Sequence, residues 1–126
     1  MSGDFERSIA AIIMSEGLAM HASRHIIPSA AASHYVEHEP GWFKTCRLKK
    51  DRITKGLFLH LRDRSAEVVR RFTFGTHTTG EAREVCYGAW EIVGTCLKDG
   101  VSYKTLAGIE EEAMPDFLEA SYFNRT

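Results

Sequence analysis

Residues 57–74 read Leu57-Phe58-Leu59-His60-Leu61-Arg62-Asp63-Arg64-Ser65-Ala66-Glu67-Val68-Val69-Arg70-Arg71-Phe72-Thr73-Phe74. Leu57, Leu59 and Leu61 alternate with Phe58, His60 and Arg62, the period of a half-buried strand. Asp63-Arg64-Ser65 supplies turn chemistry. Val68 to Phe74 follows, with Phe72 and Phe74 on one face and Arg71 and Thr73 on the other. With residues 44–53 as a further strand beside them, 43–75 reads as a meander of two or three antiparallel strands. The expected fold class is therefore α+β, a small antiparallel sheet packed by helices on one face.

Outward from this stretch the period becomes helical. Phe5, Ile9, Ile12, Ile13 and Met20 recur at near-helical spacing and predict a first helix over 4–25, capped by Asp4 or Ser2. Pro28 and Ser29 punctuate the chain, Ala30 to Val36 predicts a short second helix, and Glu39-Pro40-Gly41 is a turn signal. Beyond the meander, Gly75 to Gly80 reads as a loop. Ala82, Val85, Cys86, Ala89, Trp90, Val93 and Leu97 then form the apolar stripe of a helix over 81–98, with Thr79 as its cap and Asp99-Gly100 as its stop. Ser102 opens a short helix through Leu106, and 115–123 is a last helical segment. No repeat interrupts this order, so the chain reads as a single domain over 1–126, with a helical segment 1–40, the meander 43–75 and helices over 81–126.

At 126 residues the chain can bury roughly two-thirds of its unfolded surface without metal or crosslinks. Its hydrophobic fraction of 44% and charged fraction of 26% exclude a disordered tail or a fibre. Three cysteines without CxxC spacing argue against a disulfide framework or zinc ribbon and for a reducing compartment. The longest apolar run, Ile9 to Met14, is too short for a membrane span. The expected localisation is cytoplasmic, with no membrane partner.

The net charge of −1 is unevenly spread. Residues 44–71 hold ten basic side chains (Lys44, Arg47, Lys49, Lys50, Arg52, Lys55, Arg62, Arg64, Arg70, Arg71) against Asp51, Asp63 and Glu67, a net +7, while 1–43 and 72–126 carry −3 and −5. Such a field steers a polyanion or pairs with an acidic surface. Lys49, Lys50 and Arg52, together with Arg62, Arg64, Arg70 and Arg71 around the predicted turn, are the candidate binding residues. Phe58 and His60 interleave with them as in single-strand nucleic-acid binders.

Two histidine pairs at i, i+4 spacing, His21 with His25 and His34 with His38, place imidazoles where they can converge on a metal ion. The chain carries no HExxH pattern, no Gly-x-Ser-x-Gly elbow and no Lys-Ser/Thr ending after Gly75-x4-Gly80. Cys46, among Lys44, Arg47, Lys49 and Lys50, is the thiol whose surroundings favour reactivity.

The order strand, polar turn, strand (Glu67 to Phe72), Gly75-x4-Gly80-x2-Arg83, a helix with Gly88-Ala89-Trp90-Glu91-Ile92, then Leu97-x2-Gly100-Val101-x4-Leu106 resembles a known domain. It is similar, over residues 57–106, to the TSCPD-type C-terminal domain of cobalamin-dependent ribonucleotide reductases and the related stand-alone small proteins. These share a layout with U-type iron–sulfur scaffold proteins. Thr76 and His77 stand near the glycine loop, where the scaffold places a ligand cysteine. The resemblance implies a compact accessory module that binds a nucleotide-metabolism enzyme or a nucleic acid, and it carries over no catalytic residue.

The functional expectation is a small non-enzymatic binding module that uses a basic hairpin to hold a protein or polyanionic partner. Self-association is expected through Trp42, Phe43, Tyr122 and Phe123. The alternatives are a nucleic-acid binder acting through the same hairpin, and a metal-binding enzyme or sensor built on the paired histidines. No cofactor is otherwise expected.

Overall fold

A computed structural model describes residues 7–26, 33–36, 39–73 and 83–123. Among these the elements are α1 (Ile9–Ile26), α2 (Ser33–Val36), α3 (Trp42–Leu48), α4 (Lys50–Phe58), α5 (Ala66–Thr73), α6 (Glu84–Lys98), α7 (Tyr103–Ala107), a 3₁₀ turn (Glu111–Ala113) and α8 (Met114–Phe123). No strand occurs among the described residues. The α+β expectation is overturned: the domain is helical, and the segment read as a meander forms α3, α4 and α5.

The reason lies in which leucines are buried. Ile53, Leu57 and Leu61 have exposures of 0%, 0% and 1%, whereas Leu59 is 83% exposed. Ile53 and Leu57 stand at i, i+4 on α4, Leu61 is buried from the turn beyond its end, and Leu59 is the residue that made the run look like an alternation. In α5, Val69 and Phe72 are buried at i, i+3 while Arg70 and Arg71 are exposed. Between the two helices the Asp63 carboxylate accepts the Ser65 amide at 2.8 Å, a local turn that leads the chain into α5. Phe74 and the Gly75–Gly80 loop lie outside the described residues.

The hub is α6, which contacts α1, α2, α3, α4, α5 and α8. Its apolar residues exceed a stripe: Val85, Tyr87, Ala89, Trp90, Ile92, Val93 and Cys96 are all buried. A helix apolar nearly all round has to be surrounded. Close approach is permitted by glycine. A Cβ on Gly17 of α1 would meet the Val93 side chain and lie 2.7 Å from the Ala89 carbonyl oxygen, and one on Gly88 would meet Leu57 of α4. Gly17 meets Ala89 and Val93, and His21 meets Trp90 and Gly94. The contacts advance in the same direction along both helices, so α1 and α6 run parallel and end side by side.

Caps account for the helix ends. Ser8 Oγ accepts the Ala11 amide at 3.2 Å, and the Ile9 and Ala10 amides donate to the carbonyls of Asp63 and Leu61 at 3.0 and 2.9 Å. The cap of α1 is thus Ser8, while Asp4 and Ser2 lie outside the described residues. Gly100, at φ +96°, ends α6 as expected, with the Val101 amide donating to the Cys96 carbonyl at 3.1 Å. Ser102 caps α7 through the Thr105 amide at 3.0 Å.

Two further sequence expectations are corrected. Trp42 and Phe43 open α3 and are buried in the core, which withdraws these two from the surface expected of them; Tyr122 and Phe123 pack on Phe58 at ring distances of 5.2 and 4.6 Å, and Phe123 stays 56% exposed. Cys46 is fully buried, which withdraws it from solvent despite its basic neighbours in sequence.

Candidate anion-binding groove

No hairpin gathers the expected basic residues; helices distribute them. Arg62 reaches Asp116 and, at 3.2 Å, Glu119 of α8, and Arg64 reaches Glu111 of the 3₁₀ turn at 3.1 Å. Glu111 also accepts the Ser8 amide at 3.0 Å. These two arginines therefore clasp the C-terminal elements to the α4–α5 turn. Arg71 pairs with Glu67 one turn earlier on α5 at 2.5 Å, and Arg70 is exposed beside it. Lys49 joins α3 to α4, Lys50 opens α4, and Arg52 is exposed two residues on. Of the seven, Lys50 alone lines the groove described next.

A groove of ≈ 570 Å³ lies where α1 and α6 end beside the α3–α4 junction. Four cations from four helices border it: Arg24 of α1, Arg47 of α3, Lys50 of α4 and Lys98 of α6. Glu91 is the one carboxylate on its lining, and Thr95 stands one turn beyond Glu91 on the same face of α6. A second hollow of ≈ 430 Å³ opens beside it and shares His21, Arg24 and Lys98. Arg24 and Lys98 sit in the last turns of their helices, where cations are favoured by the helix dipole. Arg47 sits likewise in the last turn of α3, whereas Lys50 opens α4 and lacks that local reason. They reach the groove because one residue, Lys49, joins α3 to α4 and keeps the two side chains on the same side.

The floor is aromatic and already packed. Trp90 is 6% exposed. The His21 ring lies on it at 4.0 Å with planes 11° apart, Tyr35 stacks at 6.2 Å, and the Arg24 guanidinium stands 5.8 Å from the indole centre. His21 Nε2–H donates to the Trp90 carbonyl at 2.9 Å. Gly94 makes room, since a Cβ there would lie 3.0 Å from His21 Cε1 and Nε2. Burial holds the His21 pKa below its ordinary value of 6.5; the Trp90 carbonyl opposes this, the Arg24 charge adds to it and Glu91 opposes it. The ring is therefore neutral at pH 7, with hydrogen on Nε2 and a lone pair on Nδ1. Glu91 accepts the Tyr87 hydroxyl at 2.9 Å, and burial followed by the Glu91 charge pushes the Tyr87 pKa far up.

Of the four paired histidines only His21 and His25 have described side chains, and these two do not converge. His21 is committed to Trp90, while His25 is exposed and tilted against Tyr103 at 6.3 Å. His34 falls in α2, but its side chain and His38 lie outside the described residues. Among the described residues no three His, Cys, Asp or Glu side chains converge for a metal ion. No helix among them is long and apolar enough to cross a membrane.

Sequence reasoning counted Arg47 in the basic middle without choosing it as a site residue, and missed Arg24, Trp90, Glu91, Thr95 and Lys98. The local signal was present, because Arg24 follows His21 by three and Glu91, Thr95 and Lys98 lie at i, i+4, i+7 on one helical face. What was hidden is that the two faces abut. No family model, curated protein or solved structure matches this chain, so no relative supports or opposes the resemblance drawn over 57–106.

Proposed function

We propose that the protein is a non-enzymatic binding module that holds an anionic, phosphate-bearing partner in the groove between α1, α6 and the α3–α4 junction. The observation that carries this reading is the convergence of Arg24, Arg47, Lys50 and Lys98 from four helices around a single carboxylate. Clustering like charges costs self-repulsion, which a bound anion relieves. Guanidinium and ammonium groups together match phosphate oxygens, the first by a planar fork and the second as a point charge. On this reading the basic middle supplies two of the four cations, Arg47 and Lys50, and the acidic flanks supply Arg24 and Lys98.

Titration calorimetry with inorganic pyrophosphate tests the reading. Binding should weaken about tenfold between about 50 and about 300 mM salt, because exposed charges are screened. Arg47→Glu with Lys50→Glu should abolish it, since each charge-assisted contact contributes roughly 1–2 kcal/mol. Arg70→Glu with Arg71→Glu, on α5 and away from the groove, should leave it intact. Loss of binding in the α5 pair with retention in the groove pair would place the anion on α5 and overturn the assignment.

A further inference from the structure

The groove is divided in its chemistry, and the division says what kind of anion it suits. Cations line the α3–α4 side and the two helix ends, whereas the α6 wall offers Glu91 and Thr95. Side chains at i and i+4 stand about 6 Å apart on one helix face. A carboxylate in a phosphate site repels a bare phosphate; it becomes favourable only when the ligand brings a hydrogen-bond donor to it. The Tyr87 hydroxyl occupies one oxygen of Glu91, which leaves the other for such a donor. Thr95 adds a hydroxyl that both donates and accepts. The aromatic floor disfavours a competing ligand type: Trp90 is 6% exposed and covered by His21 at 4.0 Å, so the indole face is not open for a nucleobase to stack on.

We propose that the groove takes a hydroxyl-bearing phosphate ester of the sugar-phosphate class, its phosphate against Arg47 and Lys50 and its hydroxyls against Glu91 and Thr95. This rests on the anion-binding reading above and narrows it. The cavity of ≈ 570 Å³ holds a molecule of this size, within the range usual for small-ligand pockets. Glu91 is a positioning and selectivity group here: it penalises the bare anion and rewards the hydroxylated one.

The test compares ribose 5-phosphate with inorganic phosphate on the full chain, read by amide chemical-shift titration, because the two probes differ by hydroxyls and carry the same phosphate. Wild type should bind ribose 5-phosphate about tenfold more tightly, the worth of one or two hydrogen bonds. Glu91→Gln should weaken ribose 5-phosphate about fivefold while tightening inorganic phosphate about twofold, a crossover of opposite signs. Thr95→Val, which keeps the shape of the wall, should weaken ribose 5-phosphate about threefold and guards against a fold defect in the first variant. Glu91→Gln tightening both probes alike would overturn the inference, as would equal wild-type affinity for the two. If pyrophosphate binds through Arg47 and Lys50 while ribose 5-phosphate gains nothing, the ligand class falls and the anion site stands. If neither pyrophosphate nor ribose 5-phosphate binds, both fall.

Discussion

At the scale of single residues, His21 couples the site to pH. Its ring is stacked on Trp90 and gives its Nε2 hydrogen to the Trp90 carbonyl, and burial keeps its pKa below the ordinary 6.5. In the unfolded chain the imidazole regains its ordinary value. As pH falls through 6.5 the unfolded state therefore takes up a proton before the folded one does, and the stability contributed by the neutral ring is lost. Urea unfolding should show wild type losing more stability than His21→Gln between about pH 7.5 and about pH 5; parallel losses would remove His21 from the account. Cysteine reactivity follows similar reasoning. Cys46 and Cys96 are buried, and burial, then Glu16, raises the Cys86 pKa, with Arg83 opposing. All three should resist a thiol reagent in the native protein and react at once in denaturant.

At the scale of elements, the leucines of residues 57–61 separate a strand from a helix by experiment. A strand places Leu57, Leu59 and Leu61 on one face and predicts equal costs of truncation. The helix and turn bury Leu57 and Leu61 and leave Leu59 in water. Leu57→Ala should destabilise by about 2–5 kcal/mol, while Leu59→Ala should lie within about 0.5 kcal/mol of wild type. Equal losses by chemical denaturation would argue for the sheet. The failure of the alternation has a physical origin: five residues containing three leucines at i, i+2, i+4 fit both periods, and the choice depends on whether the middle one meets a neighbour. The strong α6 pattern left no such ambiguity in type, although the stripe of seven residues understated it, because Tyr87, Ile92 and Cys96 are buried on its other sides. The clasp of Arg62 and Arg64 onto α8 and the 3₁₀ turn illustrates the same limit. Their partners Asp116, Glu119 and Glu111 lie about fifty residues away in sequence, so no local reading pairs them.

At the scale of the whole molecule, the charge arrangement predicts how stability responds to ligand. Four cations meet at the groove rim with one carboxylate between them, and they repel one another when the groove is empty. Lys50→Gln should leave the free protein as stable as wild type or more so, and should remove most of the rise in melting temperature that pyrophosphate produces in wild type. A melting temperature unmoved by pyrophosphate in wild type would argue that the cations serve solubility alone. The basic middle, the helical flanks, the Gly100 stop, the Ser102 cap and the α6 core face could be read from residues, because composition, caps and a long helical period are local properties. The class of residues 43–75, the burial of Cys46 and the meeting of Arg24, Arg47, Lys50 and Lys98 were decided by tertiary structure. Each depends on which surface lies opposite, and for α1 and α6 that is set by Gly17 and Gly94, whose missing side chains let two distant helices come close enough to enclose a groove.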